Sequence, residues 1–431
     1  MILLILFVGA VALSVMVWKV VQKSKLSEFN QSSLLFRIAY ALFTSPAGQY
    51  IHEAMIYTFK YLGRNKPHTA LSTSCDLYLD FSVSYVPFLL DNYAYFIVDR
   101  DTGDTAVVDP GDPALVLQEF NRLQDIHQLD KPLHLTMILC THHHMDHAGG
   151  NTHILGVHPN VRVVSGVHET VAAQNEHAQH GDVLQLGAHT HIQILETPCH
   201  TRGHVVFYVT SSSLSGSESE HQSTPLRSGS LSALHTLHSH PSTPTPSPTA
   251  PVIMSPPTAG ALFTGDTLFL GGCGKFFEGS GEWMERSLYR TIRPLPPQSR
   301  IYCGHEYAVS NLEFGLLVEP DNSDMLEKLI WARQKRSMLQ ATIPSTLQEE
   351  CSYNVYLRAD SESVLFTLFG ENEGGGGGVS GVRGLGASGS SAATETTTLL
   401  PSGRKVSVSE VLEMIRRWKD TKIQPVRREH S

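Results

Sequence analysis

The stretch THHHMDHAGGN, residues 141–151, sets four histidines and one aspartate within six consecutive positions and closes on two glycines. Neutral imidazole nitrogens and carboxylate oxygens are donors that zinc and related divalent metals take from proteins. The preceding run, LTMILC, reads as a buried strand that delivers the chain into the cluster. If the segment leaves that strand extended, the alternate side chains of His142, His144 and Asp146 project to one side. His147 then follows at the entry to a helix, and Gly149 and Gly150 permit close backbone approach. His143 points the other way and is not counted as a ligand.

Such a half-site needs partners from elsewhere in the chain. His200 follows the strand-like HIQILETP in ETPCHTRGH, Asp266 follows ALFTG in FTGDTLF, and His305 follows RIYC in YCGHEY. Each stands just past an expected strand, where side chains converge on one rim of a sheet. The seven residues divide into two metal sites that share one carboxylate. His142, His144, His200 and Asp266 form the first; Asp146, His147, Asp266 and His305 form the second. The cofactor expectation is two divalent metal ions, zinc first, with iron and manganese as the other candidates. In VVDPGD, Asp109 either braces the loop beneath the metals or is a simple turn residue. Cys199, between Pro198 and a ligand, reads as a small buried residue rather than a nucleophile.

The elements that must carry these residues are legible around them. FSVSYVPFLL, YAYFIVD and TAVVDPG read as three strands, the last two bracketing the turn DRDTGD. ALVLQEFNRLQDI has helical spacing, and VRVVSG, HIQILETP, VVFYVT and GALFTGD read as later strands. Strands alternating with helices indicate a layered α/β or α+β domain. Two inserts interrupt it. Residues 211–258 are Ser-, Thr- and Pro-rich and read as a disordered hairpin loop, whose four histidines are compositional. Residues 371–402 contain GGGGG and a Ser/Thr run, a linker signature. Beyond it, SVSEVLEMIRRWKD resumes helical spacing, with Val408, Val411, Leu412, Ile415 and Trp418 on one face. The expected division is a catalytic domain over 71–318 and a helical substrate-binding domain over 319–431. With 32 basic against 41 acidic residues the net charge is −9, which argues against nucleic acid as the partner. Six scattered cysteines point to a reducing compartment without a disulfide framework.

The order T-H-x-H-x-D-H, then His, Asp and His at strand ends, resembles the metallo-β-lactamase superfamily. Within it, HHHMDHAGGN, ETPCHTRGH, LFTGDTLFLGGCGKFFEG, YCGHEY, VEPDN and PSTLQEECSYN resemble glyoxalase II, the hydroxyacylglutathione hydrolases. The resemblance runs from about Val86 to Leu357 and resumes at Val408, skipping both inserts. It implies an αββα four-layer sandwich with metals at one edge and a smaller helical C-terminal domain. It also implies hydrolysis of glutathione thioesters such as S-D-lactoylglutathione to a 2-hydroxy acid and glutathione, the last step of methylglyoxal detoxification. Asp146 is then expected to orient the attacking hydroxide. Lys275 and Tyr307 match positions that contact glutathione, while Phe277 stands where the family usually has Tyr and so lacks a hydroxyl donor. RRWKD resembles the family's C-terminal segment, which gives Arg416 and Lys419 the task of clamping the glutathione carboxylates. Two other readings use the same scaffold. A persulfide dioxygenase with one iron needs no second site, and a non-catalytic membrane-tethered scaffold needs no complete ligand set.

The N-terminus is foreign to ordinary glyoxalase II. Ile2 to Trp18, ILLILFVGAVALSVMVW, is uncharged and apolar, and at roughly 1.5 Å per residue a helix over residues 1–22 crosses a thin bilayer. Lys19, Lys23 and Lys25 follow it, so the positive-inside rule leaves the catalytic domain facing the cytosol. Residues 23–70 form a juxtamembrane segment, aromatic-rich over 34–62, which either lies on the membrane surface or packs on the domain. Deleting residues 1–25 should move most of the protein into the soluble fraction. Full-length protein recovered without detergent would refute the anchor.

Overall fold

Along Asn92–Asp99 the side chains alternate between two cores: Tyr93, Tyr95 and Ile97 enter one cluster, and Ala94 and Phe96 the other. The same two-residue period separates Ala106 and Val108 from Val107, and Met137 and Leu139 from Ile138. A sheet that is apolar on both faces must be covered on both. A computed structural model of the chain, which describes residues 68–71, 75–127, 131–212, 259–370, 397–400 and 404–422, shows the covering layers.

The first sheet runs in sequence order through β1 (Asp76–Leu77), β2 (Phe81–Phe88), β3 (Asn92–Asp99), β4 (Asp104–Val108), β5 (His134–Leu139), β6 (Arg162–Gly166) and β7 (Glu176–Ala178). Strands β1 to β4 pair antiparallel, and β4 to β7 pair parallel. Its outer face is closed by α1 (Pro113–His127), the single turn α2 (Met145–Ala148) and α3 (Asn151–Val157), through Val116, Leu123, Ala148 and Ile154. The second sheet contains β8 (Val183–Leu186), β9 (Thr190–Glu196), β10 (Val205–Ser211) and β11 (Ala261–Gly265). A short hairpin, β12 (Leu268–Phe269) and β13 (Gly272–Cys273), follows β11. The helical stretch starting with α4 (Gly281–Glu285) and continuing to Ile292 adds Met284, Leu288 and Ile292 to the core. Then β14 (Arg300–Cys303) joins the second sheet parallel to β11. Ile192, Ile194, Phe207 and Phe263 share one core with Tyr95, Ile97 and Met137 of the first sheet. This is the expected helix–sheet–sheet–helix sandwich.

The C-terminal part is mainly helical: α5 (Ala308–Val318), α6 (Ser323–Ser337), α7 (Leu347–Tyr353), α8 (Glu362–Phe369) and α9 (Val408–Thr421), with β15 (Ser345–Thr346) pairing on β14. The five apolar residues expected on one face of α9 are all buried. Ser407 caps that helix by accepting the Glu410 amide hydrogen bond. One boundary needs correction. The tail of the expected linker is ordered, because β16 (Thr397–Leu399) pairs antiparallel with β17 (Lys405–Ser407) immediately before α9. The chain up to residue 67, with the expected anchor, lies outside the described residues, as does residues 213–258 of the first insert. Among the described residues no helix is long and apolar enough to cross a membrane.

The two parts meet at the β12–β13 hairpin, which joins Asp266 to Lys275. Gly271 turns it with φ +67°, and the carboxylate of the fully buried Glu350 accepts the Gly271 N–H at 2.9 Å. Glu350 also accepts from Ser345 Oγ (2.7 Å), Tyr353 OH (2.6 Å) and Asn354 Nδ2 (2.9 Å). Asn354 Nδ2 in turn donates to the Phe269 and Gly272 carbonyls, and Asn311 Nδ2 to that of Leu270. Glu350→Ala strands these donors in the interior and should cost on the order of 3 kcal/mol, read from the denaturant midpoint. An unchanged midpoint would contradict the assigned grip.

Candidate metal centre

Strand ends from both sheets deliver the seven expected residues to one rim. β5 ends at Leu139, and the chain turns through Cys140–His144 into α2. Asp146 therefore reaches the centre from a helical turn, not from an extended strand as the alternate spacing suggested, and His147 stands in that same turn, where a helix entry was expected. His200, Asp266 and His305 follow β9, β11 and β14. All five histidines and Asp266 are buried, and Asp146 is half-buried.

Around the first half-site, His144 Nδ1 lies 2.9 Å from His142 Nε2 and 3.1 Å from His200 Nε2, and His200 Nε2 lies 3.3 Å from Asp266 Oδ2. Around the second, Asp266 Oδ1 lies 3.4 Å from His147 Nε2 and 3.3 Å from His305 Nε2. Asp146 Oδ2 stands 3.6 and 3.5 Å from the same two nitrogens. Atoms bound tetrahedrally at about 2.0–2.2 Å from one metal sit roughly 3.3–3.6 Å apart; the carboxylate–imidazole contacts fall in that range, and the imidazole–imidazole contacts are tighter, at 2.9, 3.1 and 3.2 Å. Asp266 turns one oxygen to each half, as a bridge does. Its Oδ1 is buried without a hydrogen-bond partner among the described residues.

The far ring nitrogens explain why the near ones are free. His147 Nδ1 meets Asp109 Oδ2 at 2.9 Å, His305 Nδ1 meets Asp91 Oδ1 at 2.8 Å, and His200 Nδ1 meets the Lys275 carbonyl at 2.9 Å. His142 Nδ1 lies 3.0 Å from Thr141 Oγ1, whose hydroxyl donates to Asp109 at 2.7 Å. With the proton on the far nitrogen, each Nε2 lone pair faces the centre. A metal ion placed between these nitrogens would accept all of their lone pairs at once. The donor set therefore fits a metal pair.

Several supporting residues were not singled out from sequence. Asn92 donates from Nδ2 to Asp146 Oδ2 at 3.0 Å, and Asp91 holds His305. His204 stacks on His142 and accepts the Asp266 N–H at 3.1 Å. Glu169 takes His143 Nδ1 at 2.5 Å and the Thr201 hydroxyl, tying two ligand loops together and turning His143 away from the centre as expected. The signal in each case was weak: a polar residue at a strand end or inside an already quoted motif. Asp109 proves to be a brace, also accepting the Thr141 N–H at 2.8 Å, and it does so with φ at 49°. Gly304 has no substitute, since a Cβ there would stand 2.5 Å from Asp266 Oδ1 and 2.7 Å from His147 Cε1.

On the substrate side, the Phe277 ring lies 5.1 Å from that of His200 and 5.7 Å from that of His144. Lys275 Nζ is 5.4 Å from the Phe277 centroid, and Tyr307 stacks on His305 at 4.9 Å with the rings 1° from parallel. These three expected residues thus border the centre. Arg416 and Lys419 stand one element back. Arg416 reaches the Cys273 carbonyl at 3.4 Å and Asp420 Oδ1 at 2.5 Å, while Lys419 donates to Asn311 Oδ1. Burial, and then the Arg416 charge, push Lys419 down to about 7.

Burial and neighbouring imidazoles push His142 and His144 well below the ordinary histidine value. Burial would lower His147 too, but Asp266, Asp146 and Asp109 overcome it and raise this residue to about 9. His305 is likewise raised against burial, chiefly by Asp266. At pH 7 the metal-free second half-site therefore carries protons that a metal must displace. Metal binding should release protons at pH 7, and the His147 share should fade as pH rises through about 9. Calorimetry in buffers of different ionisation enthalpy measures this, and uptake without release at pH 7 would contradict it.

The chain matches two family models end to end: the metallo-beta-lactamase superfamily over residues 88–305 and the hydroxyacylglutathione hydrolase C-terminus over residues 306–422. It is 40% identical over 282 residues to the cytoplasmic hydroxyacylglutathione hydrolase of Arabidopsis thaliana, covering 65% of this chain and 90% of that one. A hydroxyacylglutathione hydrolase-like protein of Gallus gallus is 36% identical over 282 residues, covering 65% and 82%. The hydroxyacylglutathione hydrolase of Rippkaea orientalis is 32% identical over 288 residues, covering 66% and 92%. With both models matched in tandem around a rim of metal donors, the chain belongs to the hydroxyacylglutathione hydrolase family of the metallo-β-lactamase superfamily.

Proposed function

We propose that this protein is a metal-dependent hydrolase of S-(2-hydroxyacyl)glutathione thioesters, with S-D-lactoylglutathione as the reference substrate. The observation that carries the reading is the pair of half-sites sharing Asp266, beside a docked cationic helix. His142, His144, His200 and Asp266 would hold the first metal; Asp146, His147, Asp266 and His305 would hold the second. Zinc suits this nitrogen-rich, tetrahedrally spaced donor set best. When bound, the metal pair lowers the pKa of water toward about 7 and polarises the thioester carbonyl.

The side chains supply the rest. Asp146, fixed by Asn92, orients the attacking oxygen nucleophile. Lys275 and Tyr307 border the reacting carbonyl, and Phe277 contributes an apolar wall where a hydroxyl would have donated. Arg416 and Lys419 receive the glutathione carboxylates, and the buried Arg416 Nε–H has no acceptor among the described residues. Cys199 is not required as a nucleophile, since burial raises its thiol pKa and its Sγ donates to the Ser280 carbonyl at 3.4 Å. The catalytic domain is drawn as 71–318 and the substrate domain as 319–431, with α5 at the junction. The apolar run at the N-terminus supports a membrane tether with both domains in the cytosol.

Purified full-length protein should hydrolyse S-D-lactoylglutathione, lose the activity to a chelator and regain it with zinc. The Arg416→Ala, Lys419→Ala double variant should raise KM while retaining metal. Loss of one charged contact corresponds to roughly ten- to a hundredfold in kcat/KM. A metal-loaded wild type without thioesterase activity would refute the reading.

A further inference from the structure

Residues 68–70 precede both matched segments, and they close on the back of the second half-site. Two adjacent residues at the start of β3 hold that half-site from behind: Asp91 bonds His305, and Asn92 bonds Asp146. Their backbone is zipped to the loop after β14 by Tyr93 N–H to Gly304 O at 2.9 Å and Glu306 N–H to Asp91 O at 2.7 Å. The Asn92 carbonyl receives a further bond, from His68 Nε2 at 2.9 Å.

A carbonyl only accepts, so His68 carries its proton on Nε2, and its Nδ1 accepts from the Thr69 hydroxyl at 2.8 Å. Arg336 of α6 secures the segment, donating to the His68 carbonyl at 2.5 Å and to Thr69 Oγ1 at 2.8 Å. The Ala70 N–H donates to the Leu339 carbonyl at 2.7 Å, and the His68 ring lies edge-on to Tyr93 with centroids 5.1 Å apart. Tyr93 in turn donates to Glu306 at 2.6 Å, next to ligand His305. The segment thus spans the helical part and the rim: His68 bonds the carbonyl of the residue that orients Asp146, and Thr69 Oγ1 lies 3.3 Å from Tyr93 OH.

We propose that His68 is a positioning residue for the second half-site, acting through the Asn92 carbonyl on the Asp91–Asn92 pair that holds His305 and Asp146. The residue lies outside the matched family segments. The proposal rests on the two-metal reading above. In the full chain, titration of metal against a chelating competitor separates the two equivalents. His68→Ala should weaken the second equivalent roughly tenfold and leave the first unchanged. His68→Gln, whose amide N–H reaches the same carbonyl, should restore it, and the milder Thr69→Val should show a smaller loss in the same equivalent. Wild-type binding of both equivalents by His68→Ala overturns the proposal, as does a loss of both that Gln does not repair. A wild-type chain that takes up fewer than two equivalents overturns the two-metal reading, and the proposal with it.

Discussion

Imidazole lone pairs aimed at one another inside a buried space repel unless a cation lies between them, and the architecture of the rim follows from that constraint. His142, His144 and His200 bring three ring nitrogens to 2.9 and 3.1 Å. Ordinary hydrogen bonding would relieve the contact by placing a proton between each pair. Here Thr141, Lys275, Asp109 and Asp91 engage the outer nitrogens of four of the histidines, so those protons are drawn outward. Without metal, the second half-site instead holds protons on His147 and His305, which a metal must displace.

Rigid strand ends are what make such outward bonding possible. Asp109 follows β4, Asp91 precedes β3, and the Lys275 carbonyl belongs to the segment after the β12–β13 hairpin. The hairpin has a second role, because it connects the bridging Asp266 to Lys275 and is gripped by Glu350, Asn354, Asn311 and Arg416 from the helical part. The metal bridge and the proposed substrate contacts are therefore held by the same short segment.

The ligands were legible in the sequence because metal donors are rare residue types placed at recognisable strand ends. His142, His144, His200, Asp266 and His305 needed only the strands before them. Asp146 was expected on an extended segment and stands in one turn of helix, since periodicity over six residues does not separate a strand end from such a turn. Residues that hold the ligands were harder to see. Asn92, Glu169 and His204 act through single hydrogen bonds across long sequence separations, and nothing in their local pattern marks the partner. The hairpin at Leu268–Cys273 escaped notice because its strands have only two residues each. The tail of the Gly-rich insert misled in the other direction: its composition is that of a linker, but backbone pairing with Lys405–Ser407 orders Thr397–Leu399 regardless of side-chain type.

The cationic end of α9 carries the same logic as the metal rim, with charge instead of lone pairs. Arg416 and Lys419 are three residues apart, hence neighbours on one helix face, and both are drawn into a poorly solvated position. Placing cations near a helix C-terminus is favourable, yet two together in low dielectric are not. The chain resolves the conflict by pairing Arg416 with Asp420 and letting Lys419 fall to about 7. A carboxylate arriving between them reverses the balance, because an added negative charge raises Lys419 and returns its proton. On the proposed function, ligand and proton then bind together at this helix.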